Sequence, residues 1–152
     1  MSEVEYRLRP YEKFDYEFVY NLKKIVYKKY VEQCWGEWNE SDQRKMFDEF
    51  IESFAKEIVI IVVNNQSIGF FHGNDLETGD YEQRNICILP EFQGMGIGSS
   101  ILKSIIKDHQ DQNIILRCFK QNPVVNLYRR LGFEIFDETK HHYRMILKSN
   151  GK

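Results

Sequence analysis

The sequence predicts an α/β fold, in which the strands of one sheet are interleaved with helices that cover its faces. Three observations predict it. Short β-branched runs alternate with segments of helical period, turn residues punctuate the changes between them, and glycines 94, 96 and 98 stand where a strand hands over to a helix in "LPEFQGMGIGSS". A chain of 152 residues without repeats, low-complexity tracts or linkers fits one domain over residues 1–152, with 149–152 expected to fray.

The elements follow in order. "VEYRLRP" alternates and stops at Pro10, predicting a short first strand. Phe14, Phe18, Leu22, Ile25 and Val26 recur at helical spacing between Glu12 and about Val31, predicting an amphipathic helix with Lys23, Lys24, Lys28 and Lys29 on its wet side. "WGEWNESDQ" interrupts it, and Ser41 is the expected N-cap of a second helix that buries Met46, Phe47, Phe50, Ile51 and Phe54. Two apolar runs around Asn64-Asn65-Gln66 read as a hairpin, and a further strand spans Tyr81 to Leu89 and ends at Pro90. The glycine segment opens a helix to about His109, and "NIILRCF" is a strand. "PVVNLYRRLG" is a short helix with Pro123 in its first turn and Gly132 past its end, and "FEIFDE" and "HHYRMILK" close the chain as strands. The order is β-α-α-β-β-β-α-β-α-β-β.

Composition narrows the function. A formal charge of −2 and a pI near 6.1 offer no general attraction to nucleic acid or anionic membrane. No apolar run approaches a membrane span and the N-terminus is not a signal peptide, so a cytoplasmic protein is expected. Cys34, Cys87 and Cys118 form no C-x-x-C pair, and His72, His109, His141 and His142 lack metal spacing. Reduced thiols and no metal are therefore expected, with Cys87 a core residue because nothing adjacent in sequence lowers its pKa.

The glycine segment is tested against two phosphate motifs. A G-x-G-x-x-G from Gly94 needs glycine at Ser99, and one from Gly96 needs glycine at Ile101; a P-loop needs a Lys that does not come until Lys103. Both fail on spacing. What stands is Gln93-x-x-Gly96-x-Gly98 after a strand, where successive N–H groups at a helix N-terminus can cradle a pyrophosphate, or where glycine simply makes a tight turn.

"ILPEFQGMGIGSSILKSII" resembles the acetyl-coenzyme A motif of the GNAT superfamily of N-acetyltransferases, Gln/Arg-x-x-Gly-x-Gly/Ala, and "NPVVNLYRRLGFE" resembles that family's second cofactor motif. The likeness extends over about residues 57–147. It implies a mixed, mostly antiparallel sheet of about seven strands with about four helices. It also implies an enzyme that transfers acetyl from acetyl-coenzyme A to a primary amine by direct attack, the acceptor expected to be a small molecule. A protein or peptide amine, or a non-catalytic acyl-coenzyme A binding module, are the alternatives; acetyl-coenzyme A and the amine are the expected partners, and a homodimer stays open.

The resemblance also assigns roles. Gln93, Gly94, Met95, Gly96, Ile97, Gly98 and Ser99 would hold the pyrophosphate through their N–H groups. The edge at Ile86, Ile88 and Leu89 would pair with the pantetheine, with the N–H of Ile88 or Leu89 polarising the thioester carbonyl. Tyr128 matches the family's general acid for the leaving thiolate, a phenol of pKa about 10 against a thiol of about 8.5. Asn122 matches a cofactor-contacting Asn, although its interval to Tyr128 is short enough that Asn126 competes for the role. Glu82 is the candidate base, against an alternative as a solubilising edge charge. Tyr30, Trp35 and Trp38, expected in the loop between the first two helices, are the candidate acceptor wall, against a capping role over the core.

Overall fold

The computed structural model of the protein describes residues 4–150. They form strands β1 (Arg7–Pro10), β2 (Val59–Val63), β3 (Gln66–Asp75), β4 (Tyr81–Ile88), β5 (Ile114–Phe119), β6 (Glu134–Glu138) and β7 (His142–Leu147). The helices are α1 (Tyr16–Trp35), α2 (Glu40–Phe54), α3 (Ile97–Asp108) and α4 (Val124–Arg130). The element order is the one the sequence predicts. The seven strands make one sheet in the order β1-β2-β3-β4-β5-β7-β6, with β4 and β5 parallel and the β1–β2, β2–β3, β5–β7 and β6–β7 pairs antiparallel.

The residues cluster into two compact units, one running to His72 and joined by Asn85–Ile97, the other Gly73–Arg84 with Gly98 onward. In the first, β2 and β3 meet at Asn64 and Asn65, both at positive φ (49° and 65°). Two left-handed residues are what a tight hairpin turn of matching twist requires, and Asn tolerates that region better than other residues with a Cβ. Val19, Tyr20 and Leu22 of α1, Phe47 of α2, Ile60 and Val62 of β2, Phe70 of β3 and Cys87 of β4 make the core. At about 1.5–3 kcal/mol for each fully buried large apolar side chain, this cluster holds the two helices on the sheet.

The start of α1 departs from expectation. Residues Lys13–Asp15 form a 3-10 turn and the α-helix begins at Tyr16, four residues after Glu12. The cause is Asp15, buried at 3% exposure, whose carboxylate accepts two bonds of 2.8 Å from the Arg9 guanidinium and one of 2.8 Å from the Glu12 N–H. Burial pushes the Asp15 carboxyl up, and the bonds from Arg9 and Glu12 outweigh it, so its pKa lies below the ordinary value. Phe14, expected inside, is 78% exposed. Ile25 is exposed as well, because at 100° per residue it lies about 120° round the helix from Val19. Lys23 departs the other way and turns its nitrogen inward over the Phe50 ring, 4.1 Å from the centroid.

In α2 the cap is Asn39 rather than Ser41: its Oδ1 accepts the Asp42 N–H at 2.9 Å from an extended backbone, and Ser41 stands exposed two residues later, inside the first turn. Met46, expected buried, is 60% exposed. Glu40 ties the two helices together. Its carboxylate accepts from Tyr20 Oη (2.9 Å), Lys24 Nζ (2.8 Å) and Trp38 Nε1 (3.1 Å), while Arg44 makes two bonds to Glu17 (3.0 and 2.9 Å) and lies 3.8 Å over the Tyr20 ring.

In the second unit, Ile114, Leu116 and Cys118 of β5, Tyr128 of α4, Phe133 and Met145 of β7 are buried. Gly132 ends α4 at a φ of 103°, the left-handed exit its position in the sequence predicts. Of the expected frayed end, residues 151 and 152 lie outside the described residues; the N–H groups of Ser149 and Asn150 donate to Asn113 Oδ1 and the Gln110 carbonyl, both at 2.9 Å. Among the described residues no helix is long and apolar enough to cross a membrane.

The bonds from Lys24 and Tyr20 pull the Glu40 carboxyl down to about 2. A depressed carboxyl stabilises the fold fully above its unfolded value and loses that contribution as pH falls toward the folded value. Thermal unfolding followed from pH 7 to pH 2 is therefore expected to show a smaller acid-induced loss below about pH 4.5 in Glu40→Gln than in the parent protein. Identical acid limbs in the two would show that the Glu40 contacts contribute nothing.

Candidate active site

β4 carries the first group of candidate residues. Its strand geometry points alternate side chains to opposite faces and alternate N–H groups to opposite edges. Cys87 turns into the core of the first unit, 1% exposed, where burial pushes its thiol up to about 11 and removes it as a nucleophile at neutral pH. Leu89 N–H donates to the Ile68 carbonyl at 2.8 Å, so this group, one of the two expected to polarise a substrate carbonyl, is spent on β3. Ile88 therefore presents its N–H and carbonyl to the other edge of β4. Its carbonyl accepts the Gln93 side-chain amide at 2.8 Å.

That bond changes the reading of Gln93. Its backbone N–H donates to the Pro90 carbonyl at 3.2 Å and its side chain braces the end of β4, so neither of its donors points along the expected pyrophosphate cradle. The sequence carried no signal for this, because a side-chain bond to a carbonyl five residues back depends on the turn between them. Pro90–Phe92 form a 3-10 turn after the strand.

The cradle itself is built by glycine. Gly94 and Gly96 sit at φ 79° and 84°, a conformation that side chains with a Cβ rarely adopt, and no atom lies within 4 Å of where a Cβ on either would stand. Space is therefore not the constraint; backbone direction is. Gly94, Met95 and Gly96 are exposed, Ile97 is 2% exposed and anchors the first turn of α3, and Gly98 and Ser99 continue that turn with helical backbone. The first N–H groups of a helix have no intrahelical acceptor, and the helix dipole adds positive potential there. The exposed turn can accordingly receive an anion.

The second unit holds the other candidates. Tyr128 is 6% exposed on α4, its ring 5.7 Å from that of Phe133 and its carbonyl accepting the Phe133 N–H at 3.0 Å. Asn122 turns its Oδ1 back onto the Val124 N–H (3.0 Å), which starts α4. Asn126 stands exposed one turn along. Glu82 pairs with Arg84 at 3.0 Å and lies opposite Ile115 in the parallel register. Six residues of strand, about 20 Å when extended, separate it from Ile88.

Of the expected acceptor wall, only Trp38 lies in the loop. Tyr30 and Trp35 belong to α1, whose helix runs on past Val31 to Trp35. Tyr30 is buried, Trp35 is 61% exposed, and Trp38 packs against the core of the first unit. One cluster went unread in the sequence: Tyr27, one turn beyond Lys23 on α1, reaches Asn85 Oδ1 (3.3 Å) and Cys87 Sγ (3.6 Å) on β4. The i, i+4 spacing of Lys23 and Tyr27 is the signal the sequence holds for it, masked because lysine side chains are ordinarily exposed. Among the described residues no group of three or more His, Cys, Asp or Glu is placed to hold a metal ion.

Comparison with known proteins bears on this arrangement. A family model described as an acetyltransferase (GNAT) domain matches residues 55–135. The ribosomal protein bS18-alanine N-acetyltransferase of Haemophilus influenzae is 33% identical over 86 residues, which make up 55% of this chain and 58% of that protein, so the match spans little more than half of the relative. The fold is similar to that of PaiA N-acetyltransferase from Thermoplasma acidophilum, solved with coenzyme A, at a TM-score of 0.70 and 18% identity over 95% of this chain and 99% of that one. It is also similar to an N-acetyltransferase from Staphylococcus aureus Mu50, at 0.75 and 14% over 93% and 100%.

A Cβ at position 94 or 96 meets open space, so its cost is backbone strain alone, about 1–2 kcal/mol for each site held left-handed. Gly94→Ala and Gly96→Ala are expected to lower the free energy of unfolding in urea by that amount, whereas exposed Ser41→Ala, off the cap, should change it by less than about 0.5 kcal/mol. An unchanged midpoint in both glycine variants would place the turn outside the constraint.

Proposed function

Because the chain belongs to the GNAT acetyltransferase family, we propose that it transfers an acetyl group from acetyl-coenzyme A to a primary amine by direct attack. The observation that carries this reading is the left-handed pair Gly94 and Gly96, which turns β4 into the N-terminus of α3 and leaves an exposed, anion-accepting backbone. A pyrophosphate needs such a cradle. Support comes from the Thermoplasma neighbour, whose structure contains coenzyme A.

In this reading Gly94, Met95, Gly96, Ile97, Gly98 and Ser99 bind the pyrophosphate through the backbone, and Gln93 acts by holding the Ile88 carbonyl. Acetyl-coenzyme A supplies the activated acetyl group as a thioester. Ile86 and Ile88 line the strand edge that receives the pantetheine, and the Ile88 N–H, directed away from Ile68, polarises the thioester carbonyl. Tyr128 holds the proton for the departing thiolate. Asn122, engaged at the start of α4, orients that helix, and exposed Asn126 is the freer of the two to touch the cofactor.

The acceptor ammonium, with a pKa of about 10, must lose a proton before it attacks. Glu82 lies far back along β4 and is tied to Arg84, so it serves that step only through intervening water. Trp35, exposed at the end of α1, and Trp38 are the aromatic surfaces offered to the acceptor in this reading, while Tyr30 is buried. A small-molecule amine fits this reading. A second reading, a protein N-terminal amine, is favoured by the Haemophilus relative, which acts on an alanine of ribosomal protein bS18.

Thiol release from acetyl-coenzyme A, measured over a panel of polyamines, aminoglycosides and amino-terminal alanine peptides, separates the two. Turnover with small amines and none with peptides supports the first; the reverse assigns the protein to the second. Tyr128→Phe is expected to lower kcat by about 100-fold or more while the Kd for coenzyme A stays within about twofold, since only the proton donor is removed. Full activity in that variant would remove Tyr128 from the mechanism.

A further inference from the structure

The lysines of α1 divide. Lys24 and Lys28 pair with Glu40 and Glu32 at 2.8 and 2.9 Å, and Lys29 is exposed beside the Tyr30 ring. Lys23 is half-buried. Among the described residues it makes no ion pair: its Nζ lies 4.1 Å from the Phe50 ring centroid and 5.9 Å from that of Phe47. Ring faces attract an ammonium, but they replace little of the hydration that burial removes. Burial accordingly lowers the Lys23 pKa, with the Cys87 thiol acting weakly the other way.

Lys23 also shares its helix face with a side chain that reaches the strand. Tyr27, at i+4 and hence on the same helix face, places its hydroxyl between Asn85 and Cys87. Asn85 and Cys87 flank Ile86 and lead to Ile88, the part of β4 assigned above to the pantetheine and the thioester. Lys23 thus lies on the helix stripe whose Tyr27 touches this strand, within one unit of the structure.

We propose that Lys23 is an internal acetyl acceptor, a modification site that the protein acetylates itself. The inference rests on the acetyl-transfer reading above. In the step, the deprotonated Nζ attacks the thioester carbonyl carbon, an N–C bond forms, and the C–S bond breaks. The electron pair of that bond leaves with the sulfur, and the thiolate takes up a proton, so one amine and one acetyl-coenzyme A become one amide and one free coenzyme A. Two physical factors favour it. A partly desolvated amine is more often neutral at neutral pH than the exposed lysines of the same helix, and the amide product carries no charge to desolvate. A lysine nitrogen sits on a flexible four-methylene stem, so its contact with the Phe50 ring is one rotamer among several.

The test uses the purified full chain incubated with acetyl-coenzyme A at neutral pH, with the acetylated residues mapped by peptide mass spectrometry and coenzyme A binding measured by calorimetry. Acetylation is expected to concentrate at Lys23 over Lys24, Lys28 and Lys29. It should be lost from that peptide in Lys23→Arg, which keeps the cation and its ring contact, and slowed at Lys23 alone in Tyr128→Phe. Coenzyme A binding without preference for Lys23, or equal labelling of all four lysines, overturns this inference and leaves the transferase reading standing. Absence of coenzyme A binding overturns both.

Discussion

Glycine's access to positive φ at positions 94 and 96 is the constraint on which the proposed chemistry depends. A strand ends with its N–H groups pointing sideways, and a helix begins with its N–H groups pointing back along its axis. Connecting the two in a few residues, with the backbone exposed and donors outward, calls for left-handed steps that a Cβ resists. Because nothing occupies the space where those Cβ atoms would be, the glycines cannot be explained by crowding. Gln93 completes the arrangement by bonding the Ile88 carbonyl, so that the strand end and the turn are held as one piece.

The rest of the first unit secures the strand from its other face. Asp15 and Glu40 do related work by different means. The first is buried and fixes where α1 starts through Arg9; the second is exposed and links α1, α2 and Trp38 at once. Neither carboxylate belongs to the proposed reacting set, yet both help hold α1, whose Tyr27 reaches Asn85 and Cys87 on β4.

Much of this was legible in advance. The alternation of apolar runs and turn residues sufficed for every strand and helix, since periodicity and Gly, Pro and Asn placement act locally. The two family motifs, around Gly96 and Tyr128, were legible because each is a short run of fixed residue types. Where expectation failed, a distant partner had intervened. Asn39 displaced Ser41 as the cap of α2, Arg9 moved the start of α1 by capturing Asp15, and the length of α1 carried Tyr30 and Trp35 out of the loop.

By itself, then, the sequence determined the order of elements, the glycine turn and the family, because each depends on residues close together along the chain. Only the tertiary structure decided which donors remain for a ligand. Leu89 N–H is consumed by Ile68 and the Gln93 side chain by Ile88, while Lys23 faces aromatic rings instead of solvent. The reason is physical: a hydrogen bond or a desolvated charge is a property of a pair in space, and no spacing along the chain announces the partner.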